Sequence, residues 1–108
     1  MTSEICAVGQ AVIDLLVRVD DQRLEQLGLV KGQRSLVTKP EQERLLAALQ
    51  GATITACPGA SAGNSISLFA ALGGKGAYVC SVGDDNYGKD FENAMREIGV
   101  ACHCFVDR

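Results

Sequence analysis

The residues best suited to chemistry lie in one short segment and at one carboxylate upstream of it. The segment is Pro58-Gly59-Ala60-Ser61-Ala62-Gly63-Asn64. Its small residues let a ligand approach the backbone closely, and the apolar run that follows predicts a helix whose first amides are unpaired. Asn64 falls in the first turn, where its side chain can both donate and accept hydrogen bonds. The segment predicts a small-ligand site, with tight helix packing as the alternative.

The upstream carboxylate is Asp14, which interrupts an otherwise apolar run between Ala11 and Val19. Its neighbours Ile13 and Leu15 are both apolar, and an unpaired buried charge is strongly destabilising. Asp14 must therefore face solvent, a partner or a ligand. A turn or solvent-facing residue is the alternative to a ligand contact.

Five cysteines raise the question of metal binding or disulfides. Their odd number and apolar surroundings favour small buried thiols in a reducing compartment. Cys102-His103-Cys104 has ligand-type residues, but on a strand the two sulfurs share one face and the imidazole points away. No second ligand pair has zinc-like spacing, so no metal site is expected. The cysteines are Cys6, Cys57, Cys80, Cys102 and Cys104.

Composition limits the class of protein. The 108 residues fit one domain, and 47% hydrophobic residues are enough for a real core. A net charge of −3 argues against a nucleic-acid partner. The sequence has no membrane-length apolar run and no signal-peptide pattern, so a cytoplasmic protein without a membrane partner is expected.

The elements that must position these residues follow from the hydrophobic patterns. From residue 52 onward the order is strand, helix, strand, helix, strand, which predicts a parallel sheet flanked by helices with sites at the carboxyl ends of its strands. Residues 12–57 are more polar and mix short strands with short helices, including a strand predicted at Ser35–Thr38. A helix after Asp20 or Asp21 and a capping box at Thr38 and Glu41 are also predicted.

The standard nucleotide-binding and triad patterns do not match. Gly73-Gly74-Lys75-Gly76 lacks the P-loop spacing, no G-x-G-x-x-G opens a helix, and His103 is the sole histidine. An ordered set of motifs does match a known family. In chain order, the motifs are Val8-Gly9, Asp14, the segment 58–64, Leu72-Gly73-Gly74 and Val82-Gly83-Asp84-Asp85-x-x-Gly88. Together they resemble the amino-terminal part of the ribokinase-like (phosphofructokinase-B) sugar and nucleoside kinases, including adenosine kinase-like members.

The resemblance implies an α/β protein with a three-layer α/β/α core, incomplete in this chain, and a small projecting β-sheet lid. Residues 1–108 would form the amino-terminal portion of one kinase domain. The core would comprise residues 4–9 and 58–100, and the lid strands would lie mainly within 12–57 and near 102–107. A homodimer formed through the lid strands is a further implication.

The resemblance also assigns roles to individual residues. It implies that Asp14 and Asn64 bind substrate hydroxyls, with Gly59 and Ala60 in place of the family's paired glycines. The structural and signature positions would be Gly9, Gly63, Gly83, Asp84, Asp85 and Gly88, with Asp84 expected chiefly as a helix cap. Ala60 in place of the second glycine, and Pro58 before the pair, predict a stiffer hinge.

The implied activity is phosphorylation of a hydroxyl on a sugar or nucleoside, with ATP and Mg²⁺ as cofactors. The catalytic base and the nucleotide pocket would belong to a later Gly-x-Gly-Asp segment, so no catalytic residue is expected within these 108 residues, and the piece alone should be inactive. The alternative is a non-catalytic sugar- or nucleoside-binding module, or a fragment that pairs its lid strands with another chain.

Overall fold

The structure, a computed structural model, describes residues 2–108. They form two compact units, one of residues up to Leu15 together with Ala56–Arg108, the other of Leu16–Thr55. In chain order the elements are β1 (Ile5–Val8), β2 (Ile13–Val17), α1 (Asp21–Gln26), α2 (Lys39–Ala48), β3 (Ile54–Pro58), α3 (Ser61–Ala71), β4 (Gly76–Gly83), α4 (Asn86–Ile98) and β5 (Ala101–Asp107).

The larger unit is built on a parallel sheet of order β1-β4-β5. Connecting neighbouring parallel strands needs a crossover, which α4 supplies between β4 and β5. The predicted α/β class and parallel sheet are confirmed. Residues 102–107, predicted near the lid, instead form most of β5, because their apolar run pairs with β4 along its whole length.

The core of this unit lies on one face of the sheet. Tyr78, Phe91 and Met95 are its largest fully buried side chains, and the tyrosine and phenylalanine rings lie 6.2 Å apart. Ile66 from α3 joins the same cluster. Both α3 and α4 contribute to this one cluster, so they form a single helical layer. This layer and the sheet are two layers of the expected three-layer core.

The smaller unit contains two capped helices. Asp20 caps α1, accepting a hydrogen bond from the Arg23 amide at 2.7 Å. Thr38 and Glu41 form the predicted capping box at the start of α2. The hydrogen bonds from Thr38, led by that from its backbone amide, lower the pKa of the Glu41 carboxyl. The caps explain why these short, polar helices begin where they do.

One predicted element of the smaller unit is not formed. The segment Ser35–Thr38 has β composition but is not a strand in the structure. Leu36 is 91% exposed there. A strand is stabilised by cross-strand pairing, and composition alone does not supply a partner.

The strands β2 and β3 pair as a separate two-stranded sheet. The chain leaves the larger unit along β2 and returns to it along β3. Within residues 2–108, no helix combines the length and the apolar character needed to cross a bilayer.

Candidate functional site

Asp14 lies against the backbone of Gly59. In β2 the side chains alternate, so Ile13 and Leu15 are half-buried while Asp14 is exposed. The amide of Gly59 donates to the Val12 carbonyl at 2.7 Å. A β-carbon built on Gly59 would stand 2.8 Å from Asp14 Cγ and 2.9 Å from Oδ1. Only a glycine leaves this space to the carboxylate.

The next residue, Ala60, opens α3 in an unusual conformation. Its φ of 71° and ψ of 152° fall in a region that is essentially restricted to glycine. Ala60 is also the N-cap of α3, and no side chain caps this helix. The other three helices of the described chain are capped by Asp20, Thr38 and Asp85. The first amides of α3 are thus left without a side-chain acceptor.

Asn64 is in the first turn of α3, where its own amide donates to the Ala60 carbonyl at 2.9 Å. Its side chain is exposed. Asp14 lies at the amino end of α3 because it contacts Gly59. Asn64 lies there because it belongs to the first turn of the helix. The structure therefore brings Asp14, Gly59, Ala60 and Asn64 to one place, with carboxylate, amide side chain and helix N–H groups as polar groups.

Tyr78 packs beneath this place, and Gly9 makes room for it. A β-carbon at Gly9 would stand 2.7 Å from Tyr78 Oη and 2.9 Å from the Ala62 β-carbon. At Gly63 the nearest atom would be Tyr78 Oη at 3.8 Å. The buried hydroxyl donates to the Gln10 carbonyl at 2.6 Å. Sequence reasoning did not single out Tyr78, although a phenol in an apolar strand requires a hydrogen-bond partner.

Residues 83–88 join β4 to α4 in a tight turn. Asp85, and not Asp84 as predicted, is the N-cap of α4: its carboxylate accepts from the Gly88 amide at 2.8 Å. Asp84 instead lies 4.0 Å from Arg108 Nε. A β-carbon at Gly88 would overlap the Gly83 carbonyl oxygen. Close approach of helix and strand explains the glycine at position 88.

The glycines that follow α3 leave no room for a phosphate group. The glycine-rich segment after α3 is filled by apolar side chains, because a β-carbon at Gly74 would stand 2.7 Å from Phe69 Cδ1 and one at Gly76 would stand 3.0 Å from Ile66 Cγ1. It offers no phosphate cradle. Mg²⁺ prefers oxygen ligands, whereas the convergent ligand group found among residues 2–108 consists of cysteines.

The smaller unit contains an open cavity of its own, of about 810 Å³. None of Asp14, Gly59, Ala60 or Asn64 lines it. Its walls come from β2, β3 and the residues beside them, namely Leu16, Val17, Arg18, Ala52, Thr53 and Thr55.

No protein-family model matches the sequence. Solved structures do match. Adenosine kinase from Sinorhizobium meliloti is 31% identical, with a TM-score of 0.76, over 97% of this chain and 32% of that one. A probable sugar kinase from Rhizobium etli CFN 42 is 30% identical, with a TM-score of 0.78, over 97% of this chain and 31% of that one.

A more distant match extends the same pattern. Adenosine kinase from Schistosoma mansoni, solved in complex with adenosine and AMP, is 15% identical with a TM-score of 0.79, over 100% of this chain and 34% of that one. At this identity the likeness shows the fold alone.

The chain has the ribokinase-like α/β fold, as its sequence motifs predicted. The structures that it resembles are adenosine kinases and sugar kinases, and it spans about a third of their length.

Proposed function

We propose that this chain is the substrate-binding and lid portion of an ATP-dependent kinase that phosphorylates a hydroxyl of a sugar or nucleoside. Two kinases at 31% and 30% identity support the assignment. One of the two is an adenosine kinase, which favours a ribose-bearing substrate.

The observation that carries the proposal is the Asp14 carboxylate held against Gly59 at the uncapped start of α3. A carboxylate can accept hydrogen bonds from two neighbouring hydroxyls at once, and charge assistance makes these bonds strong. Asn64 adds a group that can donate and accept. The arrangement suits a polyol, whose hydroxyls need several directional partners.

The role of this portion is to bind and orient the hydroxyl to be phosphorylated. ATP with Mg²⁺ supplies the phosphoryl group in the intact kinase, and the catalytic base would come from its Gly-x-Gly-Asp segment. Phosphoryl transfer depends chiefly on positioning and charge stabilisation. Asp14 acts as an anchor in this proposal and not as the base.

The smaller unit, Leu16–Thr55, would serve as the lid, and Gly59-Ala60 as its hinge. A second candidate function is a non-catalytic fragment that binds a sugar or nucleoside, or that pairs its lid strands with another chain, including a second copy. Apolar side chains on both lid strands favour strand pairing: Leu16 is 57% exposed and Ile54 is 41% exposed.

Calorimetric titration of the chain with ribose and with adenosine tests the site. Asp14→Asn should lower the affinity roughly ten-fold or more, because a charge-assisted hydrogen bond is worth about 1.5–3 kcal/mol. Asp90→Asn, on the exposed face of α4, is the matched control and should bind as the parent does. Unchanged affinity in Asp14→Asn, or no binding by the parent, would contradict the proposed site.

A second assay separates the two candidate functions. The intact protein that contains this chain is incubated with ATP, Mg²⁺ and the ligand that binds, and the phosphorylated product is measured. Phosphate transfer supports the kinase. If the intact protein binds the ligand but transfers no phosphate to it, the result favours the non-catalytic module.

A further inference from the structure

Three cysteine side chains of the larger unit converge on one face of its parallel sheet. The register places Cys80 of β4 beside Cys104 of β5. Cys102 precedes Cys104 by two residues and projects from the same face, while His103 between them is exposed. Sequence analysis predicted that the Cys102 and Cys104 sulfurs share a face. It did not predict that Cys80, 24 residues before Cys104, would join them.

The three sulfur atoms are in contact. Cys104 Sγ lies 2.9 Å from Cys102 Sγ and 3.5 Å from Cys80 Sγ. All three ligand atoms fall within 4.8 Å of one another. Sulfurs that share one ion through bonds of about 2.3 Å stand about 4 Å apart. Small side-chain rotations are therefore enough to form a three-sulfur site.

The surroundings of the cluster disfavour any net negative charge. Cys80 and Cys102 are 4% and 7% exposed and belong to the core formed with Phe91 and Met95. Both sulfurs are therefore shielded from the water that would stabilise a charge.

The charge of each complex decides which ion the cluster suits. Three thiolates around Zn²⁺ carry a net charge of −1, and around Cu⁺ they carry −2, and a buried net charge is costly. Structural zinc also takes four ligands, and the convergent group offers three. A trivalent, three-coordinate, thiophilic element leaves no net charge. We propose that Cys80, Cys102 and Cys104 form a binding site for trivalent arsenic and similar thiophilic metalloids.

The binding reaction is a ligand exchange without oxidation or reduction. Arsenous acid, As(OH)₃, reacts with three thiols to give As(SR)₃ and three molecules of water. Three As–O bonds and three S–H bonds break, three As–S bonds form, and each thiol proton leaves with a hydroxide. Cys104, which is half-buried while its two partners are buried, is the sulfur through which the reaction begins.

The test titrates the folded chain with arsenite under anaerobic, reducing conditions and follows it by native mass spectrometry. The mass of the chain is expected to increase by that of one arsenic atom less three hydrogens. Cys80→Ala should lower the arsenite affinity at least about ten-fold, and far-UV circular dichroism checks that the variant is folded. Cys102→Ala is the second variant, in case Cys80→Ala does not fold. The matched control is Cys6→Ala/Cys57→Ala, which leaves all three ligands in place and should bind as the parent does.

Other outcomes overturn the proposal. An adduct that loses two hydrogens and keeps a hydroxyl, with no effect of Cys80→Ala, would show a two-thiol site at Cys102 and Cys104. Loss of binding in the control double variant would place the arsenic elsewhere. A parallel titration with Zn²⁺ that displaces the arsenic at equal concentration would overturn the charge argument.

Discussion

The carboxylate of Asp14 fills the space that a β-carbon on residue 59 would need. The two residues are far apart in sequence, and the backbone hydrogen bond from Gly59 to Val12 brings their segments together. The glycine at position 59 therefore determines where the carboxylate can lie. This relationship gives the first prediction.

Gly59→Ala should weaken ligand binding while leaving the fold intact. The added methyl group would displace the end of a flexible side chain, which can swing aside, so the free energy of unfolding should change by less than about 1 kcal/mol. The displaced carboxylate should cost the proposed ligand roughly ten-fold in affinity, measured by calorimetry. In an Asp14→Asn background the same substitution should add no further loss. An additional loss there would contradict an effect exerted through Asp14.

Ala60→Gly should stabilise the protein. The φ and ψ of Ala60 lie in a region where a β-carbon is strained by about 1–3 kcal/mol. Glycine relieves the strain but raises the entropy of the unfolded chain by the equivalent of about 0.4–1 kcal/mol. A net gain of about 1 kcal/mol is expected in urea unfolding. Ala62→Gly, in the adjacent helix, should instead destabilise, and a similar loss in Ala60→Gly would contradict the strained conformation.

Asp85→Ala should destabilise α4 more than Asp84→Ala does. Asp85 accepts the Gly88 amide at 2.8 Å, and loss of an N-cap acceptor costs about 1 kcal/mol. Asp85→Ser keeps an acceptor and should recover most of the difference. Thermal unfolding of the three variants measures it. If Asp84→Ala destabilised the helix more than Asp85→Ala did, the N-cap would be Asp84, as predicted from the sequence.

Glu41 should make the chain sensitive to acid. Its pKa is lowered in the folded state by hydrogen bonds from Thr38, so the unfolded state binds the proton first as the pH falls. The stabilisation is present above the unfolded pKa, about 4.3, and is lost as the pH falls through the lower folded pKa. Glu41→Gln should flatten the fall in unfolding free energy over that range. An identical pH profile for parent and Glu41→Gln would contradict the prediction.

Local patterns were enough to predict most elements of the fold. The capping box at Thr38 and Glu41 depends on neighbours within a few residues, and it is present. The strand at Ser35–Thr38 was wrong because pairing needs a partner that composition does not reveal. The cap at Asp84 was wrong by one residue, because it is Asp85 whose carboxylate reaches the Gly88 amide.

The candidate site was predictable in its members and less so in its geometry. Asp14 and Asn64 were selected because their types are out of place in apolar or small-residue runs. The conformation of Ala60 and the packing of Tyr78 beneath Gly9 depend on contacts between distant segments. The convergence of Cys80 with Cys104 likewise depends on strand register, which sequence spacing does not determine.

The missing cap of α3 affects how this chain can be engineered. Serine or aspartate at position 60 would offer an acceptor to the exposed helix amides only if the backbone left its present φ of 71° for the extended conformation of a capping residue. Glycine relieves the strain at the same position without supplying an acceptor. A variant stabilised by glycine should therefore keep the helix N–H groups available to a ligand, whereas in a variant stabilised by a capping side chain that side chain would compete with the ligand.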